Sequence, residues 1–192
     1  MGTSSNTQRS ASSKAQPAAV RGAGSGFLKD LTDMAQGGVV RYSQRKGVDQ
    51  FVRELSMATT IQLVDTERHG VEGVFLKDLS KRLDLTAGRL FDMLGVPKAT
   101  AEKKVANGEV ISGTGGQAAI GMAKLIGRAQ ELVANSTAPE AKDFDAARWL
   151  GRWLEVSQPA LGGRRPADLM DTPTGSDVVL RLLGALESGA YQ

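Results

Sequence analysis

Histidine chemistry would need partners, and the single histidine, His69, has two carboxylates close by in sequence, Glu67 and Asp65. One imidazole at the end of an expected helix is more often a surface group or a partner for the helix C-terminus than a base. No further ligands stand around it at metal-binding spacing. The chain has no cysteine, which removes disulfides, thiolate zinc sites, iron–sulfur ligation and a thiol nucleophile together. The run Ser112-Gly113-Thr114-Gly115-Gly116-Gln117 precedes an expected helix and has the composition of a phosphate cradle. It lacks the lysine and following hydroxyl of a Walker loop, and a flexible connection into a helix accounts for it more simply. No acid–base pair or nucleophile triad follows from spacing. With no catalytic residue, metal site or cofactor indicated, the chain reads as a binding protein and not an enzyme.

The richer chemistry is cationic. Residues Val74 to Asn107 read as three short helices: Leu76, Leu79 and Leu83 form the inner stripe of the first, Thr86 caps a second containing Leu90, Phe91 and Leu94, and Gly95-Val96-Pro97 turns into a third that begins near Lys98. Two short helices joined by a glycine-containing turn are the helix-turn-helix arrangement, whose later helix can enter the DNA major groove. Lys98, Thr100, Lys103 and Lys104 lie on the expected reading helix, and Lys81, Arg82 and Arg89 are placed to reach flanking phosphates. The alternative is an ordinary three-helix core whose lysines form a solvated face. Ala99 and Ala101 stand where larger residues could read base edges or anchor the helix, and Glu102 would repel phosphates if it faced them.

These residues must be carried by a small frame. The chain has 192 residues and a formal net charge of +3, enough for one large or two small domains. Charge is distributed unevenly: +3 over residues 1–26, −1 over 27–73, +3 over 74–108 and −2 over 109–192. A short nucleic-acid footprint beside a neutral or acidic interaction module fits that pattern. Residues 1–26 are dominated by Ser, Ala, Gly, Thr and Gln, and with almost nothing apolar to bury they are expected to be disordered. From Phe27 onward apolar residues recur at helical spacing, and few runs alternate like strands. Residues 117–133 place Ala118, Met122, Leu125, Ala129 and Leu132 on one stripe, with Gly121, Ala123 and Gly127 small enough to admit a close neighbour. A helix over Phe144–Glu155 stacks Ala146, Trp149, Leu150, Trp153 and Leu154, and the Pro159 to Gly163 run breaks it. A last helix is expected from Ser176, as N-cap, to a stop at Gly189. No apolar run approaches the roughly 20 residues that cross a bilayer, and no signal-peptide core stands at the start. The expectation is an all-α, cytoplasmic protein with no membrane partner.

The C-terminal segment carries a longer pattern: Ala147-Arg148-Trp149-Leu150, then Gln158-Pro159-Ala160-Leu161-Gly162-Gly163-Arg164-Arg165-Pro166, then Leu169-Met170-Asp171-Thr172, Gly175, Val179, Leu182-Leu183 and Leu186 to Tyr191. It resembles the toxin-binding domain of the Xre/MbcA/ParS antitoxin family. Leu83-Asp84-Leu85-Thr86 through Leu94-Gly95-Val96-Pro97 is similar to that family's Xre-type helix-turn-helix. The resemblance covers roughly residues 60–192. It departs from the family pattern at Ala99 and Ala101 and at Gly113–Gly116. It implies a bacterial type II antitoxin, encoded beside a RES-domain toxin that consumes NAD or transfers ADP-ribose from it. It also implies a homodimer or higher-order complex with the toxin, and binding to the operator of its own genes.

On this reading residues 1–26 are a tail, 27–135 hold the helix-turn-helix-like segment 74–107 and dimerisation helices, and 136–192 bind the toxin. DNA contact falls to Arg89, Lys98, Thr100, Lys103 and Lys104. Toxin contact falls to Trp153, Arg164, Leu186, Gly189, Ala190, Tyr191 and Gln192, an apolar end with a carboxylate suited to another protein's pocket. Arg165, beside Arg164, is either solvated or turned to an anionic cleft. The competing reading is a stand-alone transcription regulator whose C-terminal part only dimerises.

Overall fold

The computed structural model describes residues 1–2, 38–137 and 139–187. Almost all of the expected tail lies outside them, as do Gly189, Ala190, Tyr191 and Gln192. Helix α1 (Gly47–Ser56) is dictated by a stripe of Val48, Phe51, Val52 and Leu55, all buried. Its Phe51 meets Phe75 and Tyr42 edge-on, at ring separations of 5.0 and 5.7 Å. Helix α2 (Thr60–His69) opens with a reciprocal capping box in which the Gln62 N–H donates to Thr59 and the Thr59 N–H to Gln62. Then come β1 (Val71–Glu72), α3 (Gly73–Arg82), α4 (Ala87–Met93), α5 (Lys98–Asn107) and β2 (Val110–Ile111). The strands pair antiparallel, Val71 with Ile111 and Glu72 with Val110, and so close the base of the α3–α5 unit. These two-residue strands are too short for the sequence to show any alternation.

Helix α6 (Gly113–Ala134) is the axis of the protein: α1, α2, α7 (Ala146–Leu154) and α8 (Pro173–Glu187) all pack on it. Short 3-10 turns at Pro139–Asp143, Pro159–Leu161 and Pro166–Leu169 carry the chain between them. One continuous cluster of buried apolar side chains runs from Tyr42 to Leu183, with Ile120, Met122, Leu125 and Ile126 of α6 at its centre. Helix α6 begins earlier than the periodicity indicates, and this overturns the flexible connection expected at 112–117. A Cβ on Gly116 would run into the Ile111 carbonyl, and one on Gly115 would run into Val96. These glycines admit β2 and the helix-turn-helix turn against α6, which leaves them packed rather than open to a phosphate. The last helix is likewise shifted. It starts at Pro173, and Thr172 caps it, accepting from the Gly175 N–H at 3.1 Å. Ser176 lies one turn inside, buried against Gly121, because the α6–α8 crossing needs a small residue there more than the helix needs a second cap.

Candidate functional site

The helix-turn-helix segment folds as its sequence indicates. Leu76, Leu79, Leu83 and Leu90 are fully buried. Thr86 accepts from the Arg89 N–H at 3.2 Å, and Gly95 supplies the positive φ of the turn at +63°. Helix α5 follows with Ala101 as its one fully buried residue, which corrects the expectation that an alanine there cannot anchor the helix: the space beside α3 admits only a small side chain, and Ala101 fills it. Lys98, Thr100 and Lys103 are exposed, and Lys98 lies 3.8 Å from Glu102 one turn on.

The remaining cations expected at phosphates are engaged elsewhere. Lys104 donates to the Val110 carbonyl at 2.6 Å, tying α5 to β2. Arg89 forks onto both oxygens of Glu155, at 2.6 and 3.0 Å. Arg82 donates through Nε to both oxygens of Asp49 at 3.0 Å and through Nη1 to Asp145 at 2.6 Å. Lys81 lies 3.5 Å from Asp78. His69 stays with Arg41, 2.8 Å away, as a group at a helix C-terminus.

Arg82 and Arg89 therefore serve the second candidate face, the α7–α8 unit. Asp145 caps α7 by accepting from the Arg148 N–H at 3.1 Å. Burial acts to raise its pKa, but the hydrogen bonds from Arg82 and the Arg148 N–H outweigh that and hold the carboxyl below its ordinary value. Arg82 thus pins the start of α7 to the end of α3, and Arg89 pins the other end of α7, at Glu155, to α4. Between the pins a Cβ on Gly151 would strike the Leu83 carbonyl, which sets how closely α7 crosses α3. Glu155 also accepts from Arg165 at 3.2 Å, and Arg165 forks onto Asp168. The Asp168 carboxyl is held below its ordinary value chiefly by that hydrogen bond.

Of the two neighbouring arginines, Arg165 is consumed in building the loop, while Arg164 is exposed with no side-chain partner among the described residues. Trp153 stacks on Trp149 at 5.9 Å and is only 9% exposed, so it builds the face from beneath. Phe144, 6.1 Å from Trp149, is the accessible end of that aromatic row. On α8, Val179, Leu182 and Leu183 are buried against α6, while Leu186 emerges from the packing at 36% exposure. Glu155 and Asp168 were not singled out in the sequence. Asp145 was readable as an N-cap, but which arginine it meets depends on a contact 63 residues away in sequence.

No helix among the described residues is long and apolar enough to cross a membrane. The model for the antitoxin Xre/MbcA/ParS C-terminal toxin-binding domain matches residues 143–189, from the 3-10 turn before α7 through α8. A relative from Sphingobium sp. (strain YBL2), the Prs ADP-ribosylating antitoxin, is 36% identical over 152 residues, covering 79% of this chain and 94% of that protein.

Proposed function

From the premise that this chain belongs to the Xre/MbcA/ParS family of antitoxins and is a type II antitoxin, we propose that its partner is a RES-domain toxin acting on NAD, blocked by occupation of its active site. The relative's name joins an antitoxin to ADP-ribosylation, a reaction that draws on NAD. The observation that carries the reading is the layout of residues 143–189. Helix α7 and the 158–170 loop are braced against the rest of the protein, Arg164 stays free, and α8 leaves its packing at Leu186. A rigid base presenting a helix end suits insertion into a concave site better than pairing of two flat surfaces. On this reading Leu186, Gly189, Ala190, Tyr191 and Gln192 enter the cleft and Arg164 flanks it. The chain acts by binding, in the cytoplasm, without catalysis of its own.

Autorepression is the second role. Lys98, Thr100 and Lys103 form the DNA face and a homodimer presents it twice. The exposure of α5 supports this, and the capture of Arg89 and Lys104 confines it to a small footprint. The test is to purify the RES-domain protein encoded beside this chain and follow its NAD consumption. Adding the chain at equal concentration should abolish turnover competitively with NAD. Undiminished turnover in a stable complex would overturn active-site blockade.

A further inference from the structure

Helix α2 is covered on one side only. Its one fully buried residue is Thr66, Leu63 packs against the buried cluster, and Glu67 pairs with Lys124 of α6. Ile61 and Val64 lie on the other side, and Val64 stands off that cluster. Ile61 is 40% exposed, and Met57, three residues before the helix begins, is 83% exposed. The chain just before α1 is fastened to this helix. The Val40 N–H donates to the Thr66 hydroxyl at 2.9 Å, and that hydroxyl donates to the Gln62 carbonyl at 2.6 Å. Arg41 lies 2.8 Å from His69, about one turn further along α2. From Val40 to Arg41 the chain thus runs toward the C-terminal end of α2. Followed backward, it leaves toward Thr60, the end at which Ile61 and Met57 are exposed.

The sequence that leads into this fastening supplies a matching face. Phe27, Leu28, Leu31 and Met34 fall at helical steps, with Lys29, Asp30 and Asp33 on the other side. We propose that residues 27–34 of the same chain cover the outer side of α2 as an amphipathic helix, with Phe27, Leu31 and Met34 on Met57, Ile61 and Val64. Apolar side chains then meet apolar side chains, and the charges of both signs on the segment stand at the rim beside Asp65 and Arg68. Eight helical residues rise about 12 Å against about 15 Å for the ten of α2. Neither helix is long enough to be stable alone, so each gains from the other. Ala35, Gln36 and Gly37 link Met34 to Gly38 and reach at most about 10 Å. So short a tether gives the segment an effective concentration of about millimolar or more at α2, ahead of any separate molecule.

The chain has no cysteine, so pairs of introduced thiols test the contact in the full-length protein. Ile61→Cys is combined in turn with Phe27→Cys, Lys29→Cys, Leu31→Cys, Asp33→Cys and Met34→Cys under a mild oxidant. Disulfides within one chain should form at Phe27, Leu31 and Met34 at least about fivefold faster than at Lys29 and Asp33, whose side chains point away. Equal rates at all five positions, as an undocked segment would give, would overturn the proposal. Disulfides joining two chains would place a second copy on α2 and overturn it equally. A second measurement leaves Ile61 intact. Leu31→Asp should speed amide exchange over residues 60–69 about tenfold, while removal of residues 1–26 leaves it unchanged. Exchange indifferent to Leu31→Asp, or protection of residues 60–69 that appears only when the toxin is added, would overturn the assignment.

Discussion

Helices α5 and α7 have similar lengths and similar charge yet opposite relations to the rest of the protein. Of the nine residues of α7, Ala146, Ala147, Leu150, Gly151, Trp153 and Leu154 are buried, and both its ends are held by arginines from the helix-turn-helix unit. Of the ten residues of α5, Ala101 alone is buried, and the helix rests on the body through that alanine, the Lys104 bond to Val110 and the close approach of its Lys104–Val105 backbone to Gly73. Burial measures how much of a helix is spent on fold and how much is left for a partner. Substitutions in α7 should therefore act on stability first, and those in α5 on recognition first.

The largest effect is expected at Leu150, fully buried in α7. Leu150→Ala should cost about 2–5 kcal/mol, read as a lower urea midpoint, and if α7 were only an appended binding helix the midpoint would hardly move. Gly151→Ala follows, at about 1–3 kcal/mol, because the new methyl pushes α7 off the Leu83 carbonyl; unchanged stability would mean that α7 does not cross α3 this closely.

Smaller still is Asp145→Ala, which removes both the α7 cap and a partner of Arg82 and should cost about 1 kcal/mol. The depressed pKa of Asp145 adds a pH signature. Its contribution is fully present above the unfolded carboxylate range and is lost as pH falls through the lower folded value. Asp145→Asn, which keeps the cap, should flatten that acid limb of a stability–pH curve while leaving a cap-sized share at neutral pH.

The α5 variants complete the ranking. Lys98→Ala with Lys103→Ala should leave the unfolding free energy within about 0.5 kcal/mol, while lowering the salt slope of operator binding by about 1.8. Lys104→Ala should do the reverse, loosening α5 without changing the slope by a full phosphate. Equal slope changes from Lys103 and Lys104 would show that Lys104 leaves Val110 to reach DNA, and would erase the contrast between the helices.

How much of this was legible in the sequence depended on the range of the physics involved. The stripe Leu76–Leu79–Leu83, the Thr86 cap and the Gly95 turn are local, and all three stand where the spacing put them. The stripe of small residues on α6 also held, with Gly121 against Ser176 and Gly127 against Val52 and Ser56. The start of α8 did not, because Ser176 satisfies a cap rule locally while the α6 crossing, invisible in a window of sequence, claims it for packing. The flexible connection expected at 112–117 failed for the same reason, since glycines that admit the Val96 side chain and the Ile111 carbonyl look, in a window of sequence, like the glycines of a loose link. The cations were the hardest to place. Arg89 and Lys104 read as phosphate contacts until Glu155, 66 residues away, and the Val110 carbonyl appear beside them.

The central claim is that α7 and its braces hold a base from which the end of α8 enters the toxin, and removal of residues 187–192 tests it most directly. Val179, Leu182 and Leu183 remain in place on α6, so the truncated chain should keep its thermal stability and its self-association. Co-expressed with the toxin it should no longer protect, and in vitro the toxin's NAD consumption should return to its uninhibited rate. A truncated chain that silences the toxin at full potency would contradict the claim and move the contact to the exposed side chains of Arg164 and Phe144.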